Sequence, residues 1–391
     1  MPVSDLRRTV VLTMLVFFAQ PFATGCWMAL IPTVKATLGL GEGQLAIALL
    51  GMPIGLLPSL PVAGRAIVRI GPRRALMAAF PLQAVALWLV LLAGSLPGLF
   101  LALVCLGVIT AFSQVGLNTY AGRLEKERSV AIMSRCHGLW AIGLMVSSAL
   151  AVFAAGLPVQ GGPLLVVLSA MAGGVWATTW LPRLAGDMGQ PPPPRRKIGE
   201  LPPALVQIAL FALVVAMTEG AMSDWSAVYM AQRLSPDSSV AGLSVSVYAA
   251  TLAAGRLFGD AMRARLGAVR IARVTVAVAI AGVLCMVAPF PNWTCWVGVA
   301  MVGFGVSVGF PLGVSAVAAL DDRYEGPNIA ALSTIALFGF LIGPPLIGFL
   351  AEIHSLRLGL AALVPMLCAS LVLAGSLSPT PHRRRTARSL P

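Results

Sequence analysis

Charged side chains are scarce in this sequence. Asp, Glu, Lys and Arg together make up 10% of its 391 residues, whereas soluble proteins carry about 25%. Hydrophobic residues make up 58%, and the mean hydropathy is +0.90. This composition excludes a soluble globular protein and predicts a polytopic protein surrounded by a lipid bilayer. The net charge of +13 would suit a nucleic-acid binder, but no segment outside the apolar runs is long enough to fold alone, so we expect no nucleic-acid partner.

Motifs that carry enzyme chemistry are also missing. The sequence has no Gly-rich phosphate loop and no Ser/His/Asp set in a plausible context, and its six cysteines include no Cys-x-x-Cys pair. The polar loops are too short to hold a catalytic domain, and candidate nucleophiles and bases lie at opposite ends of the apolar segments. We therefore expect no enzymatic activity, no cofactor and no bound metal.

One long interval is too polar and too rich in proline to lie in lipid. Residues 182–203 contain four consecutive prolines followed by two arginines and a lysine. Because proline neither continues a helix nor donates a backbone hydrogen bond, this interval is typical of a semi-rigid, solvated linker. It divides the chain into an N-terminal half (1–181), a linker (182–202), a C-terminal half (203–378) and a basic tail (379–391).

Twelve apolar segments remain when the sequence is cut at its turn and charge signals. Each is close to the length of about 20 residues that a membrane-spanning helix needs, and six lie on either side of the linker. The predicted fold is an all-α integral membrane protein with twelve transmembrane helices in two pseudo-symmetric six-helix halves. The predicted spans are 9–32, 44–66, 73–95, 98–121, 129–155, 161–181, 203–230, 240–262, 269–289, 293–318, 327–351 and 356–377.

The distribution of basic residues predicts the orientation. If the N-terminus is cytoplasmic, all of the 27 Lys and Arg except Lys35, Arg233 and Arg357 lie on or near the cytoplasmic side. Because cytoplasmic loops collect basic residues, both termini are expected there. The prediction is a monomeric, multi-pass protein of the inner (cytoplasmic) membrane of the cell.

The two halves resemble each other in the loop between their second and third spans. Residues 64–74 read GRAIVRIGPRR, and residues 255–267 read GRLFGDAMRARLG. Matching basic glycine turns at matching places indicate an internal repeat, although any cytoplasmic loop tends to collect Arg and Gly. The arginines of these turns, Arg69, Arg73 and Arg265, are candidate gating residues.

Twelve spans, a central basic linker and these paired loops resemble the major facilitator superfamily of secondary transporters. Three stretches are similar to the fucose-permease-related branch of that family: 118–140, with NTYAGRLE and SRCHGLW; 219–226, EGAMSDWS; and 255–260, GRLFGD. The resemblance covers nearly the whole chain and implies the family's fold and alternating-access transport of a small solute.

Two positions depart from the family pattern. The loop between spans 2 and 3 usually carries an Asp a few residues after its first Gly, and here Val68 fills that place, so the family's inner-gate ion pair is in question. In fucose permease an acidic residue four positions before the Asn of span 4 is tied to proton coupling. That position is Gln114 here, and the resemblance therefore argues against proton coupling through span 4.

Two acidic residues in span 7 are the main candidates for solute binding or proton coupling, because ionisable groups in a span cost roughly 2.5–3.5 kcal/mol and are usually functional. Glu219 lies about 24 Å from the start of the span at Pro203, which predicts the outer third of the bilayer. Five residues separate it from Asp224, about 140° of rotation, so we expect Glu219 to face the central cavity and Asp224 to face the outer gate beside Trp225. The alternative is a purely structural role for each carboxyl group.

Other polar residues form a second group of candidates. Gln114 and Asn118 share one face of span 4 and would hydrogen-bond either a polar solute or a neighbouring helix. His137 lies near the inner end of span 5, where it either packs in neutral form or exchanges a proton.

Gating residues are predicted at two further places. Arg256 and Asp260 are four residues apart and would pair as a latch at the inner end of span 8. Gly343 and Pro344 in span 11 predict close helix packing and a break or bend in the helix.

The leading functional hypothesis is a secondary active transporter that moves a small solute, a sugar or another neutral polar compound, with a proton coupled through Glu219. An alternative is efflux of a drug or metabolite by proton antiport, although residues 138–156 lack the Gly-Pro motif usual in such families. A second alternative is a membrane sensor that transports nothing, which the absence of a signalling domain disfavours.

Overall fold

The computed structural model describes residues 3–128, 130, 132–157, 161–184, 201–234, 240–320 and 325–378. Most of the predicted linker and all of the predicted basic tail lie outside the described residues.

The described part of the N-terminal half contains eight helices, two pairs of which each make one span. Helices α1 and α2 meet at Pro21, and α3 and α4 meet at Leu50. The helices are α1 (Val3–Ala19), α2 (Phe22–Leu38), α3 (Glu42–Leu49), α4 (Gly51–Ile70), α5 (Pro72–Leu91), α6 (Leu96–Arg128), α7 (Met133–Ala155) and α8 (Gly162–Thr179).

Eight α-helices and a short 3-10 helix after them are likewise described in the C-terminal half. The pairs α12–α13 and α15–α16 again make one span each. The helices are α9 (Pro203–Leu234), α10 (Leu243–Leu266), α11 (Ala268–Val287), α12 (Trp293–Val306), α13 (Gly309–Ala318), α14 (Glu325–Ile353), α15 (Leu356–Ala361) and α16 (Leu363–Leu373), followed by the 3-10 helix Ala374–Leu377.

The predicted twelve-helix membrane fold is confirmed. Within the described residues, eleven helical segments are long and apolar enough to cross a bilayer, and a shorter apolar helix, Leu243–Gly259, is the twelfth. The observed segments begin and end within about seven residues of the predicted spans, because the Gly, Pro and charge signals that bound them are local.

The turns between the second and third spans of the two halves have the same backbone conformation. Gly71, between α4 and α5, has φ 82° and ψ 149°, and Gly267, between α10 and α11, has φ 78° and ψ 160°. Residues with a side chain rarely adopt this positive φ, so glycine is required at both turns. The match agrees with the predicted repeat. We call the side of the molecule that carries these two turns the linker face, and the side that carries Gly39 and Ser355 the far face.

Helix packing brings the two halves together around a central space. Within the halves, α4 packs on α6 and α9 packs on α14. Between the halves, α7 contacts α10, α2 contacts α9, and α3 contacts α14. Hydrogen bonds join the halves towards the far face, where the Glu352 carboxylate accepts from the Gly43 N–H at 2.9 Å and Ser148 lies 2.7 Å from Ser246, oxygen to oxygen.

Candidate functional site

A cavity of about 190 Å³ lies between the two halves. Helices α2, α4, α6 and α7 supply its wall on one side, and α9, α10 and α14 supply it on the other. Most of the lining is apolar or aromatic, including Trp27, Trp140 and Phe340. The polar and ionisable side chains that line it are Gln20, Thr24, Thr110, Gln114, Glu219, Ser223, Asp224 and Tyr248.

Glu219 forms a salt bridge with Arg256 at the wall of this cavity. The Arg256 Nη2 atom donates to the Glu219 Oε1 at 3.0 Å and to its Oε2 at 3.3 Å. The two side chains are only 15% and 20% exposed, so the pair is largely withdrawn from water. One arginine therefore compensates the charge of this carboxylate inside the transmembrane region.

Glu219 lies near the middle of its helix. Helix α9 has 32 residues, and Glu219 lies 16 residues from Pro203 and 15 from Leu234. At 1.5 Å per residue this helix is about 48 Å long, well beyond the roughly 30 Å hydrocarbon core. The position of the bilayer along this helix decides the depth of Glu219, so its place in the outer third stays a prediction.

Asp224 lines the same cavity as Glu219, although the two were expected to face different places. Gly220 and Ser223 also line it, and these four positions cover an arc of about 140° on one side of α9. The cavity wraps around this arc, and Phe340 packs where a side chain at position 220 would begin, 3.0 Å from the ideal Cβ position. The helix remains continuous, so no loosening at Gly220 is needed.

Asp224 differs from Glu219 in having no countercharge. Its carboxylate forms no hydrogen bond or ion pair within the part of the chain that the structure describes. Two further lining groups, the Thr110 and Tyr248 hydroxyls, are buried without a hydrogen-bond partner. Buried polar groups are normally satisfied, so these three groups favour a polar ligand or water in the cavity.

The opposite wall is organised by Gln20, which the sequence analysis missed. Its Oε1 accepts from the Trp140 indole at 2.6 Å, and its Nε2 donates to the Ser113 hydroxyl at 3.0 Å. The Ser113 hydroxyl also accepts from Gln83 at 3.3 Å. These bonds fix Gln20 and Trp140 at the cavity wall. A signal was available, because Gln20 is a polar residue inside an apolar run, directly before the Pro21 that separates α1 from α2.

The other candidates in α6 and α7 divide between the cavity and its surroundings. Gln114 lines the cavity, whereas Asn118, one turn nearer the linker face, is exposed and does not line it. His137 is exposed and does not line it either, and its ring packs edge-on against Phe17 with centroids 5.5 Å apart.

Trp225 and Pro344 lie away from the cavity lining and contact each other. The fully buried Trp225 indole donates to the Pro344 carbonyl at 2.9 Å. Gly343 packs against the backbone of Met217. Helix α14 runs without interruption from Glu325 to Ile353, so the predicted break is not present. Close packing of α9 on α14 and the hydrogen bond from the Trp225 indole stabilise α14 at its two prolines.

The arginines predicted to gate have different surroundings. The Arg73 guanidinium donates to the carbonyls of Thr178 (3.0 Å) and Thr179, so it caps the C-terminus of α8 within the same half. Arg69 and Arg265 are exposed near the ends of α4 and α10. The Asp260 side chain lies outside the described residues, so its pairing with Arg256 stays a prediction.

Among the described residues no group of three or more His, Cys, Asp or Glu is arranged to hold a metal ion. The chemistry of this site is therefore that of paired and unpaired charges, hydrogen-bonding groups and aromatic walls.

Comparison with known proteins agrees with this architecture. The family model described as "Major Facilitator Superfamily" matches residues 205–390. An uncharacterised MFS-type transporter of Yersinia pestis is 27% identical over 362 residues, which covers 91% of this chain and 92% of the relative. The membrane protein MosC of Rhizobium meliloti is 25% identical over 380 residues, covering 96% and 91% respectively.

Solved structures show the same fold at lower identity. A mutant of the nucleoside transporter NupG matches with a TM-score of 0.75 at 13% identity, covering 94% of this chain and 98% of that one. A bacterial homologue of the lysosomal transporter Spinster, in an inward-facing state, matches with a TM-score of 0.67 at 16% identity, covering 97% and 100%. At such identities the likeness shows the fold alone.

Proposed function

We propose that this chain is a membrane transporter of the major facilitator type, which moves a small polar solute by alternating access and couples this movement to protons through Glu219 and Arg256. The observation that carries the proposal is the Glu219–Arg256 salt bridge at the wall of a cavity shared by both halves. A sugar or another neutral polar compound fits the lining amides and hydroxyls.

The size of the cavity supports a small solute. Its volume of about 190 Å³ is below the roughly 300–1,000 Å³ of pockets that hold drug-sized ligands. Polar groups lie on both walls, with Gln20 and Gln114 on the N-terminal half and Asp224 on the C-terminal half. A solute held between them would contact both halves, as alternating access around a fixed site requires.

The salt bridge supports proton coupling. A protonated Glu219 loses its charge attraction to Arg256, so proton binding and this ion pair exclude each other. Arg256 released from Glu219 would carry an uncompensated positive charge near the cavity wall, which the Asp224 carboxylate also lines. The proton would therefore change the charge of the cavity wall. Protonation of Glu219 would therefore change the affinity of the cavity for its solute, and this difference in affinity is the coupling.

A specific observation favours a second candidate, the efflux of a small amine by proton antiport. The Asp224 carboxylate faces the cavity without a countercharge, and aromatic rings of Trp27, Trp140 and Phe340 line the same space. A buried carboxylate that is not paired is stabilised either by a proton or by a cationic group of the solute, and aromatic faces also attract cations. This candidate differs from the first in requiring a positively charged solute.

The proposal includes the orientation of the protein in the membrane. The turns at Gly71 and Gly267 are basic and lie on the linker face, which the distribution of Lys and Arg would place in the cytoplasm of a cell with this protein in its inner membrane.

The proposal is tested with purified protein in vesicles that contain a pH-sensitive dye. A thermal-shift screen of sugars, polyols, nucleosides and small amines first identifies a solute that binds. Addition of that solute should then move protons across the membrane in the wild type. Glu219→Gln should bind the solute and exchange it between the two sides, but move no protons. Glu127→Gln is the matched control, since this carboxylate lies outside the cavity lining and pairs with Arg128 within the N-terminal half.

Three outcomes separate the alternatives. Solute-driven proton movement that persists in Glu219→Gln would contradict coupling through this residue. Binding of amines but not of their hydroxyl analogues, lost in Asp224→Asn, would favour the antiport candidate. A protein that binds a solute yet moves neither solute nor protons would contradict transport and support a sensor.

A further inference from the structure

A second pocket lies on the linker face, well away from the central cavity and within the N-terminal half. Its volume is about 470 Å³, and the start of α5, the last turns of α6 and the segment after α8 enclose it. Four arginines line it: Arg73, Arg74, Arg123 and Arg183. No acidic residue lines it among the described residues.

Three of these arginines have no partner among the described residues. Arg73 donates to the carbonyls at the end of α8, whereas Arg74, Arg123 and Arg183 form no ion pair or hydrogen bond in the part of the chain that is described. The nearest acids along α6 are engaged elsewhere. Glu125 accepts from the backbone N–H groups at the start of α7, at 2.6 and 2.8 Å, and Glu127 pairs with Arg128 at 3.0 Å.

The backbone adds to the positive potential of this pocket. Helix α5 begins at Pro72, and its N-cap residue Gly71 provides no side-chain hydrogen bond to the first turn. The free N–H groups of that turn, together with the helix dipole, favour an anion at this end. Three guanidinium groups without a partner in the described part of the chain, together with a helix N-terminus, thus surround this opening, and none of the described residues that line it is acidic.

The remaining walls indicate where the anion comes from. Ile70, Met77 and Leu184 line the pocket beside the arginines, so it is apolar on one side and cationic on the other. The pocket lies at the ends of helices that are long and apolar enough to cross a bilayer, so a bilayer around them would bring lipid headgroups close to it. Guanidinium groups bind phosphate oxygens in bidentate fashion, and basic pockets between helices on the cytoplasmic side bind anionic headgroups.

We propose that this pocket binds the phosphate group of an anionic phospholipid from the leaflet at the linker face. The site is independent of the transported solute and of the coupling proton. A bound lipid would tie the turn between α4 and α5 to the end of α8, two places that Arg73 already joins. The general attraction of a basic protein surface for anionic lipid predicts something different, namely that all arginines on this face contribute alike.

The experiment compares two variants with the same loss of charge. The pocket variant replaces Arg74, Arg123 and Arg183 by Gln. The matched control replaces Arg265, Arg270 and Arg273 by Gln; these residues are exposed at the equivalent turn of the other half. Each full-length protein is placed in lipid nanodiscs of phosphatidylcholine with increasing phosphatidylglycerol, and bound phosphatidylglycerol is measured by native mass spectrometry together with thermal stability.

We expect the pocket variant to lose affinity for phosphatidylglycerol by about 10- to 100-fold and the control by less than about threefold. Equal losses in both variants would overturn the proposal in favour of general surface attraction. Inorganic phosphate added to phosphatidylcholine nanodiscs is the second arm. If phosphate alone stabilises the wild type as much as the lipid does, the site takes a soluble anion and the lipid assignment is wrong. Should the triple variant not fold, the single changes Arg74→Gln and Arg123→Gln replace it, each with a partial loss expected.

Discussion

The salt bridge between Glu219 and Arg256 makes a quantitative prediction about stability. Two unit charges about 4 Å apart attract each other by about 4 kcal/mol at an effective dielectric constant of 20 and by about 1 kcal/mol in water. The side chains are 15% and 20% exposed, so the pair lies between these limits. We expect a coupling energy of about 1–3 kcal/mol, within the range measured for contacting residues.

The perturbation is a double-mutant cycle with Glu219→Gln and Arg256→Gln. Glutamine keeps most of the volume and polarity of each side chain but removes its charge. Each single variant leaves an uncompensated charge at the cavity wall, so both should lower the free energy of unfolding. The double variant should lose about 1–3 kcal/mol less than the sum of the single losses. Reversible denaturation in mild detergent measures all four proteins.

The control cycle pairs Glu219 with an arginine that it does not contact. Arg263, also on α10, donates to Ser315 at 2.8 Å rather than to Glu219, so Glu219→Gln and Arg263→Gln should be additive. If Glu219→Gln and Arg256→Gln are likewise additive within about 0.3–0.5 kcal/mol, the pair contributes no coupling energy and the charge compensation inferred here is wrong.

Three further predictions concern the packing of the halves and the topology. Glu352→Gln removes a carboxylate from the N-terminus of α3, which should weaken the contact between the two halves at the far face by about 1 kcal/mol. A cysteine introduced at that contact should then be labelled roughly fivefold faster, and unchanged labelling would contradict this prediction. Trp225→Phe removes the buried hydrogen bond to Pro344 and should lower the free energy of unfolding by about 1–2 kcal/mol without loss of solute binding; loss of binding alone would place Trp225 in the solute site. A cysteine introduced at Pro182 should be labelled only from the cytoplasm; labelling of intact cells would contradict the proposed orientation.

The helices could be predicted from the sequence because their limits depend on local signals. The predicted spans 293–318 and 356–377 match the observed segments Trp293–Ala318 and Leu356–Leu377. Gly and Pro at the ends, and about 20 apolar residues between them, are sufficient for this. The repeat already related Gly267 to Gly71, because both glycines follow the basic end of the second span of their half.

The contacts of the candidate site could be predicted only in part. Glu219 and Gln114 were identified because polar residues in a span are rare, and both line the cavity. Their partners depend on which helices become neighbours. Arg256 is 37 positions from Glu219, and Trp140 is 120 positions from Gln20, so no spacing rule within one helix could relate them. Counting from one helix end does not fix the depth of Glu219 either, because a helix of 32 residues is longer than the bilayer core.

The departures from the family pattern have a structural consequence for gating. Val68, where the superfamily usually has Asp, is 75% exposed and offers no charge to the basic turn at Gly71. Arg73 instead binds the end of α8, and both partners belong to the N-terminal half, so this contact persists when the two halves move relative to each other. The hydrogen bonds of Arg73 to α8 therefore do not join the two halves. The contact between Glu352 and the start of α3 does join the two halves. We infer that, for this chain, the far face contributes more to the choice between states than the first basic turn does.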